Sequence, residues 1–381
     1  MCGVKLDPLV FLGSQAIASA SFVSEVTLRR VPLVRAAHFN YYLAVLRDIG
    51  VSVWQGLERA GLPATTEQSP NLYLSLPKVM DYVGANGGAG GAMELGFLAA
   101  QRATLESLRP EFQRAILDAP SGLALLQTLL RYRKGEDTSG FSAIYPEGAS
   151  VRVVCDQPGF ERDAALICAE WMNLEAVVSI VRSVAGGEWT PEEITFVSAL
   201  PPHDPAREAF PNTRMLTSQA HTSVLVPRDV LAKPWHTLAE PEAGDQDADM
   251  EADHAIGPLD TIREILKPYL RDKPLLLSEL AEILGTSKRT LQRQLRSRRV
   301  SYSRIVAEAR YQVASDLLEN TDTKIMEVAI AAGYQNHAHF SRAFRQLAGV
   351  SPIEYRTSAL GIAESGRNLP ATSPRAARSQ R

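Results

Sequence analysis

Ten side chains near the C-terminal end form two clusters suited to one chemistry. Lys288, Arg289, Gln292, Arg293 and Arg296 make the first, and His337, His339, Ser341, Arg342 and Arg345 make the second. Arginine and glutamine pair bidentately with guanine and adenine edges in a DNA major groove, and basic side chains also neutralise phosphates. Arg289, Gln292, Arg293 and Arg342 are the candidates for base edges, with His337 as a further reader. Lys288, Arg296 and Arg345 suit the positioning of phosphates. His339 fits a helix-supporting or phosphate role. The H-x-H formed by His337 and His339 is poor for one metal ion, because positions i and i+2 of a helix point about 200° apart. The competing reading of both clusters is a solvated basic face on a helical bundle.

The elements that must hold these clusters occur twice. Residues 277–297 read LSELAEILGTSKRTLQRQLRS, and residues 325–346 read IMEVAIAAGYQNHAHFSRAFRQ. Ala281 and Gly285 match Ala329 and Gly333 at an offset of 48. Past the glycine the turn differs by one residue, and Leu291, Arg293, Leu295 and Arg296 fall on Phe340, Arg342, Phe344 and Arg345 at an offset of 49. A small residue, a glycine four residues on, a polar cap and an apolar i, i+4 pair are the pattern of a helix-turn-helix. The alanine lets a second helix cross over it, and the glycine suits a left-handed residue ending the first helix. Ser287 and Asn336 are N-caps for the second helix of each unit. Leu291 with Leu295, and Phe340 with Phe344, turn one face inward and leave the ten polar side chains outward.

Residues 258–357 resemble the DNA-binding domain of the AraC/XylS family of bacterial transcription regulators. The most specific stretch is HFSRAFRQLAGVSPIEYR at 339–356, which carries the family's G-x-S-P-x-x-Y-R after a recognition helix. The first half carries S-x-R-T-L-Q-R-x-L at 287–295. The resemblance implies that a long helix, here Tyr302 to Leu318, holds the two units apart. It also implies that both recognition helices enter successive major grooves on one DNA face, about 34 Å apart. One departure is Arg298-Arg299-Val300, where relatives have a small or glycine-containing turn.

The charge is split at the same boundary. The chain has 381 residues and a formal net charge of −3. Up to Ala255 there are 20 basic and 31 acidic residues; from Ile256 to Leu360 there are 16 and 11; the last 21 residues hold 4 and 1. A basic module on an acidic body suits phosphate binding with counterion release. Cys2, Cys155 and Cys168 show no CxxC or metal spacing, which points to a reducing cytoplasm and no structural disulfide. No apolar run approaches the roughly 18 residues of a membrane span. Val10 to Val23 is apolar and holds A-S-A at 18–20, loosely like an export cleavage site, but Lys5 and Asp7 flank it poorly. Residues 1–31 are instead expected to be a disordered extension, or to follow a start codon placed too early.

Ordered structure is expected from Pro32. Helical spacing marks 38–49, and further helices are expected over 76–85, 93–100, 111–118 and 122–132. Strands are expected at 140–145 and 150–156 around a P-E-G turn, then a long helix over 161–185, then strands at 193–200 and 221–226. The fold class is therefore an α+β N-terminal domain followed by an all-α domain with two helix-turn-helix motifs. The wide apolar stripe from Arg162 to Val184 is a candidate subunit contact, with packing on the sheet as the other reading. Order and landmarks resemble the arabinose-binding-like N-terminal domain of the AraC subgroup found in ornithine-utilisation and virulence regulators. The landmarks are PLVRA at 32–36, GLP at 61–63, LGFLAAQ at 95–101, LLRY at 129–132 and AFPNTRMLTSQAHTSVLVPRDVLAKPW at 209–235. That resemblance implies a domain that senses a small molecule, dimerises, or both.

Competing chemistry has little support. Trp171, Trp189 and Trp235 could line a ligand pocket, with core packing as the default reading. Glu192 and Glu193 are adjacent on a strand edge and point to opposite faces. Cys168, inside an apolar helix, reads as buried and inert. There is no P-loop, GxGxxG, GxSxG or HExxH. Between Ala239 and Asp253 lie seven acids without one Lys or Arg, a run that repels itself and stays extended, or competes with DNA for the basic face.

The expected organisation is an extension at 1–31, a ligand-sensing and dimerisation domain at 32–235, an acidic linker at 236–257, a double helix-turn-helix DNA-binding domain at 258–360 and a disordered tail at 361–381. The expected function is sequence-specific regulation of transcription in the cytoplasm by a homodimer on double-stranded DNA. RNA polymerase is the expected partner, a small molecule the effector, and activation the working assignment of sign, which the residues leave open with the effector's identity. No enzymatic activity, cofactor, metal or membrane is expected. The alternative is the same DNA-binding domain fused to an enzymatic domain, or to a structural one with no effector.

Overall fold

The computed structural model of this chain describes residues 31–235, 257–271 and 274–358. The expected extension up to residue 30, the acidic linker up to residue 256 and the tail lie outside the described residues. Val31, one residue before the expected Pro32, is already buried.

The body opens with β1 (Leu33–Arg35), α1 (Ala36–Asp48) and α2 (Val53–Ala60), and β2 (Tyr73–Ser75) pairs antiparallel with β1. Three helices follow: α3 (Leu76–Ala100), α4 (Pro110–Leu117) and α5 (Gly122–Glu136). Then come β3 (Phe141–Glu147), β4 (Ser150–Asp156), α6 (Leu166–Ala185), β5 (Glu193–Thr195), α7 (Asp204–Ala209), β6 (Arg214–Leu216), β7 (Ser223–Pro227) and α8 (Arg228–Leu231). The sheet order is β3-β4-β7-β5-β6, antiparallel throughout except for the β5–β6 pair. The period-2 pattern of β4 buries Val151 and Val153, and Val154 and Cys155 are buried too, so the second half of the strand is covered on both faces.

α6 lies on this sheet and against α3. Its apolar stripe is used up by that packing: Trp171, Leu174, Val177, Val178 and Val181 are each no more than 1% exposed. The stripe offered as a subunit contact is therefore core, and Trp171 sits against Phe97, Phe196 and Phe210 at ring distances of 5.0, 5.1 and 6.2 Å. α3 approaches α6 closely because Gly96 has no side chain; a Cβ there would lie 2.6 Å from Cys168 Cα. α3 is also one helix where two were expected. Its glycine-rich middle costs helix propensity, but packing of both ends against α1 and α6 overrides that cost.

The C-terminal half consists of α9 (Pro258–Leu266), a 3-10 turn at Lys267–Tyr269, α10 (Leu277–Ile283), α11 (Lys288–Ser297), α12 (Tyr302–Asn320), α13 (Ile325–Ala331) and α14 (His337–Ala348), with residues 352–358 helical. It has two cores. Ile305 and Ala309 of α12 join α9, α10 and α11 in the first, and Ala314 and Leu318 join α13 and α14 in the second. One helix of 19 residues, about 28 Å at 1.5 Å per residue, thus belongs to both.

The halves meet at the small β1–β2 hairpin. Leu33 and Tyr73 share one of its faces and pack in the first C-terminal core with Ile262 and Leu266, whereas Val34 and Leu74 face the body core. Beside it the Tyr269 hydroxyl donates to the Gly61 carbonyl at 2.9 Å. Three-residue strands are too short for a period to show, which is why this hairpin was not anticipated.

Candidate nucleic-acid interface

Each polar cluster rides on a helix whose start is fixed by a side chain. The Ser287 hydroxyl accepts from the Thr290 amide at 3.1 Å and starts α11. The Asn336 side-chain Oδ1 accepts from the Ala338 and His339 amides at 2.8 and 3.3 Å and starts α14. Ala281 and Ala329 are buried under the crossings, and Gly285 and Gly333 have φ of +58° and +79°. Leu291, Leu295, Phe340 and Phe344 are all buried, so the rotation of each helix about its axis is set by its apolar pair.

That rotation decides what faces outward. Lys288, Arg289, Gln292, Arg293 and Arg296 are exposed on α11, with no acidic residue in the helix. On α14 His337, His339, Arg342 and Arg345 are exposed, while Ser341 is half-buried. Arg342 Nε lies 3.3 Å from the Ala338 carbonyl, which lays its side chain back along the helix toward the N-terminus. Among the described residues no three His, Cys, Asp or Glu side chains are placed to hold a metal ion.

The GxSPxxYR stretch closes the second core. The Tyr355 ring packs on Phe344 at 5.3 Å and its hydroxyl donates to Glu319. Arg356 donates to the Thr323 carbonyl at 2.6 Å. Ser351 and Glu354 satisfy each other's amides at 3.3 and 2.7 Å, a capping box at the start of the last helical segment. These residues therefore fix α14 on α12. At the departure from the family pattern, Arg299 takes a left-handed backbone with φ of +56°, the conformation a glycine would adopt without cost.

The body holds a feature that sequence reasoning missed. A cavity of about 310 Å³ is walled by side chains from α1, α3, α5, α6 and β4, among them Tyr42, Met80, Leu129, Met172 and Cys155. Its lining comes from many short pieces between residues 34 and 235, so no local pattern marks it. Of the three tryptophans, Trp235 reaches the cavity. Cys155 and Cys168 are buried, and burial pushes both thiols up to about 12, so neither is a nucleophile. At the cavity edge Glu136 binds Arg35 at 2.6 Å, His38 at 2.8 Å and Arg109 at 3.2 Å. Burial alone would raise the Glu136 carboxyl, but the hydrogen bond and charge of His38 and the Arg35 guanidinium outweigh it and hold it at about 2. Glu192 is exposed and Glu193 buried against Arg152 and Arg214, so the two carboxylates do face apart.

Comparison with known proteins divides along the same line. A family model described as a helix-turn-helix domain matches residues 280–358, and one described as the arabinose-binding domain of AraC transcription regulator, N-terminal, matches residues 50–235. Among curated relatives, the transcriptional activator NphR of Rhodococcus is 30% identical over 103 residues, 27% of this chain and 31% of that protein. The HTH-type transcriptional regulator RipA of Corynebacterium glutamicum is 40% identical over 99 residues, 25% of this chain and 30% of that protein. The ornithine utilization regulator of Pseudomonas aeruginosa is 28% identical over 143 residues, 32% and 42% of the two chains. The chain thus spans less than half the length of each of these relatives.

Proposed function

The chain belongs to the AraC family of transcription regulators, with an arabinose-binding-type N-terminal domain and a helix-turn-helix C-terminal region, and from that premise we propose that it binds double-stranded DNA sequence-specifically and regulates transcription in response to a small molecule. One observation carries the proposal. Two capped helices, each rotated by a buried apolar pair, present basic and hydrogen-bonding side chains outward, and one helix shared by two cores fixes them relative to each other. On this reading residues 32–235 sense the effector and pair two chains, residues 258–360 read DNA, and the protein acts in the cytoplasm as an activator beside RNA polymerase. Among the described residues no helix is long and apolar enough to cross a membrane. No role as an enzyme is assigned: the buried thiols are unreactive and the Glu136 carboxylate is already bonded to Arg35, His38 and Arg109.

The test separates base reading from phosphate contact. Arg293→Ala and Arg342→Ala should each lose about 1–3 kcal/mol on a specific site and little on random DNA, as loss of a bidentate base contact requires. Arg296→Ala should weaken both alike. Binding isotherms on a site selected from random sequence measure this, and equal losses on both DNAs for Arg293 and Arg342 would overturn the assignment. Sedimentation of the full chain tests the pairing.

A further inference from the structure

The cavity in the body is built for a different kind of molecule from a sugar. Its walls are largely aliphatic and aromatic, and α6 lines it from Cys168 to Ser183, about 22 Å of helix axis. The space is therefore long, with a volume of about 310 Å³. Most polar groups that reach it are already bonded. Glu136 is held by Arg35, His38 and Arg109, and Gln157 donates to Ser139 at 2.6 Å. Asp137 accepts from the Ser139 and Gly140 amides. Two donors are left over. Asn173 Nδ2 and Trp235 Nε1 are both buried at the cavity wall without an acceptor among the described residues. A buried N–H without a partner is unfavourable, so an acceptor on a bound molecule would relieve it. Arg133 also lines the cavity, and its guanidinium donates to the carbonyls of Phe141 and Asp156 and to the Ser142 hydroxyl, neutral oxygens that leave its charge in place.

We infer that this cavity binds an elongated, mostly apolar molecule of about ten to fifteen heavy atoms bearing a hydrogen-bond-accepting head group, received by Asn173, Trp235 and Arg133. The inference rests on the reading of the body as the sensing domain. A pentose would strand most of its hydroxyls against apolar walls, and a free amino acid would set its charged ends against those walls and is too short for the stretch that α6 lines.

Decanoate, with twelve heavy atoms, and its neutral amide decanamide serve as probes, with L-arabinose and L-ornithine as contrasts, all measured by calorimetry on the full chain. The expected result is saturable, one-to-one binding of decanoate and decanamide and none of the contrasts. Asn173→Leu and Trp235→Phe should each weaken both probes about five- to tenfold, roughly the worth of one hydrogen bond. Arg133→Gln should weaken decanoate more than decanamide. Circular dichroism and DNA binding of each variant report that it is folded. Non-saturable uptake, tighter binding of either contrast, or folded Asn173→Leu and Trp235→Phe variants that bind as the parent does would each overturn the inference. Salt-sensitive DNA binding by the parent chain is scored separately. A chain that binds DNA but not the probes loses the ligand class alone, whereas one that binds the probes but no DNA loses the regulator reading.

Discussion

Gly333 cannot be replaced without moving a backbone carbonyl. A Cβ there would lie 2.2 Å from the Leu270 oxygen, and the residue also needs its left-handed backbone. Its counterpart Gly285 shares the backbone conformation but faces open space. The two turns, alike in sequence, should therefore respond differently. Gly285→Ala should cost about 1–2 kcal/mol, the penalty of a left-handed L-residue. Gly333→Ala adds a clash with main chain and should cost upwards of about 3 kcal/mol. Urea denaturation of the two variants measures the difference, and equal losses would contradict the contact. Leu270 belongs to the turn after α9, so the same glycine seats the second helix-turn-helix against the first. Arg299 makes the opposite choice. It holds a left-handed turn without being glycine, and spends about 1 kcal/mol or more on doing so.

Among elements, the hairpin end β1 and the helix α5 are tied by the Arg35–Glu136 pair, with His38 of α1 and Arg109 before α4 completing the cluster. Arg35 is 2% exposed and Glu136 5%, so solvent screens them little. The native carboxyl is held at about 2, below its unfolded value near 4.3, so the native state binds fewer protons than the unfolded chain. The cluster's contribution is then fully present above about pH 4.5 and fades as pH falls toward 2. It is worth roughly 3 kcal/mol on that shift. Denaturation of the parent and Glu136→Gln at pH 6 and pH 3 checks this: the parent should lose stability between the two and the variant should lose less. How such elements could be read beforehand depended on their length. α11 and α14 were legible because caps, glycines and apolar pairs act within a dozen residues. β4 and β7 were legible from alternation. β1, β2, β6 and α2 were not, since each is short and held by partners distant in the chain. β5 was expected to run from 193 to 200 and stops at Thr195, because its apolar run continues into a turn where Glu170 accepts from the Val197 and Ser198 amides.

At the scale of the molecule, charge and packing give different boundaries. The net positive C-terminal half should make DNA affinity fall steeply with salt. If each chain neutralises about six phosphates, the log–log slope for the full chain should be near −5. A fragment starting at residue 257 should keep a similar slope but melt at a lower temperature, because it gives up Leu33 and Tyr73 from its first core. Identical melting of the fragment and of that half in the full chain would show that the hairpin contributes nothing. The hairpin also bears on how such proteins can be recombined. Cutting within the acidic run and grafting the sensor onto a foreign reader would deliver two short strands shaped for Ile262 and Leu266 to a surface that lacks them. A hybrid that inherits its signalling must take those strands, or the residues they fit, from the same parent as its reader.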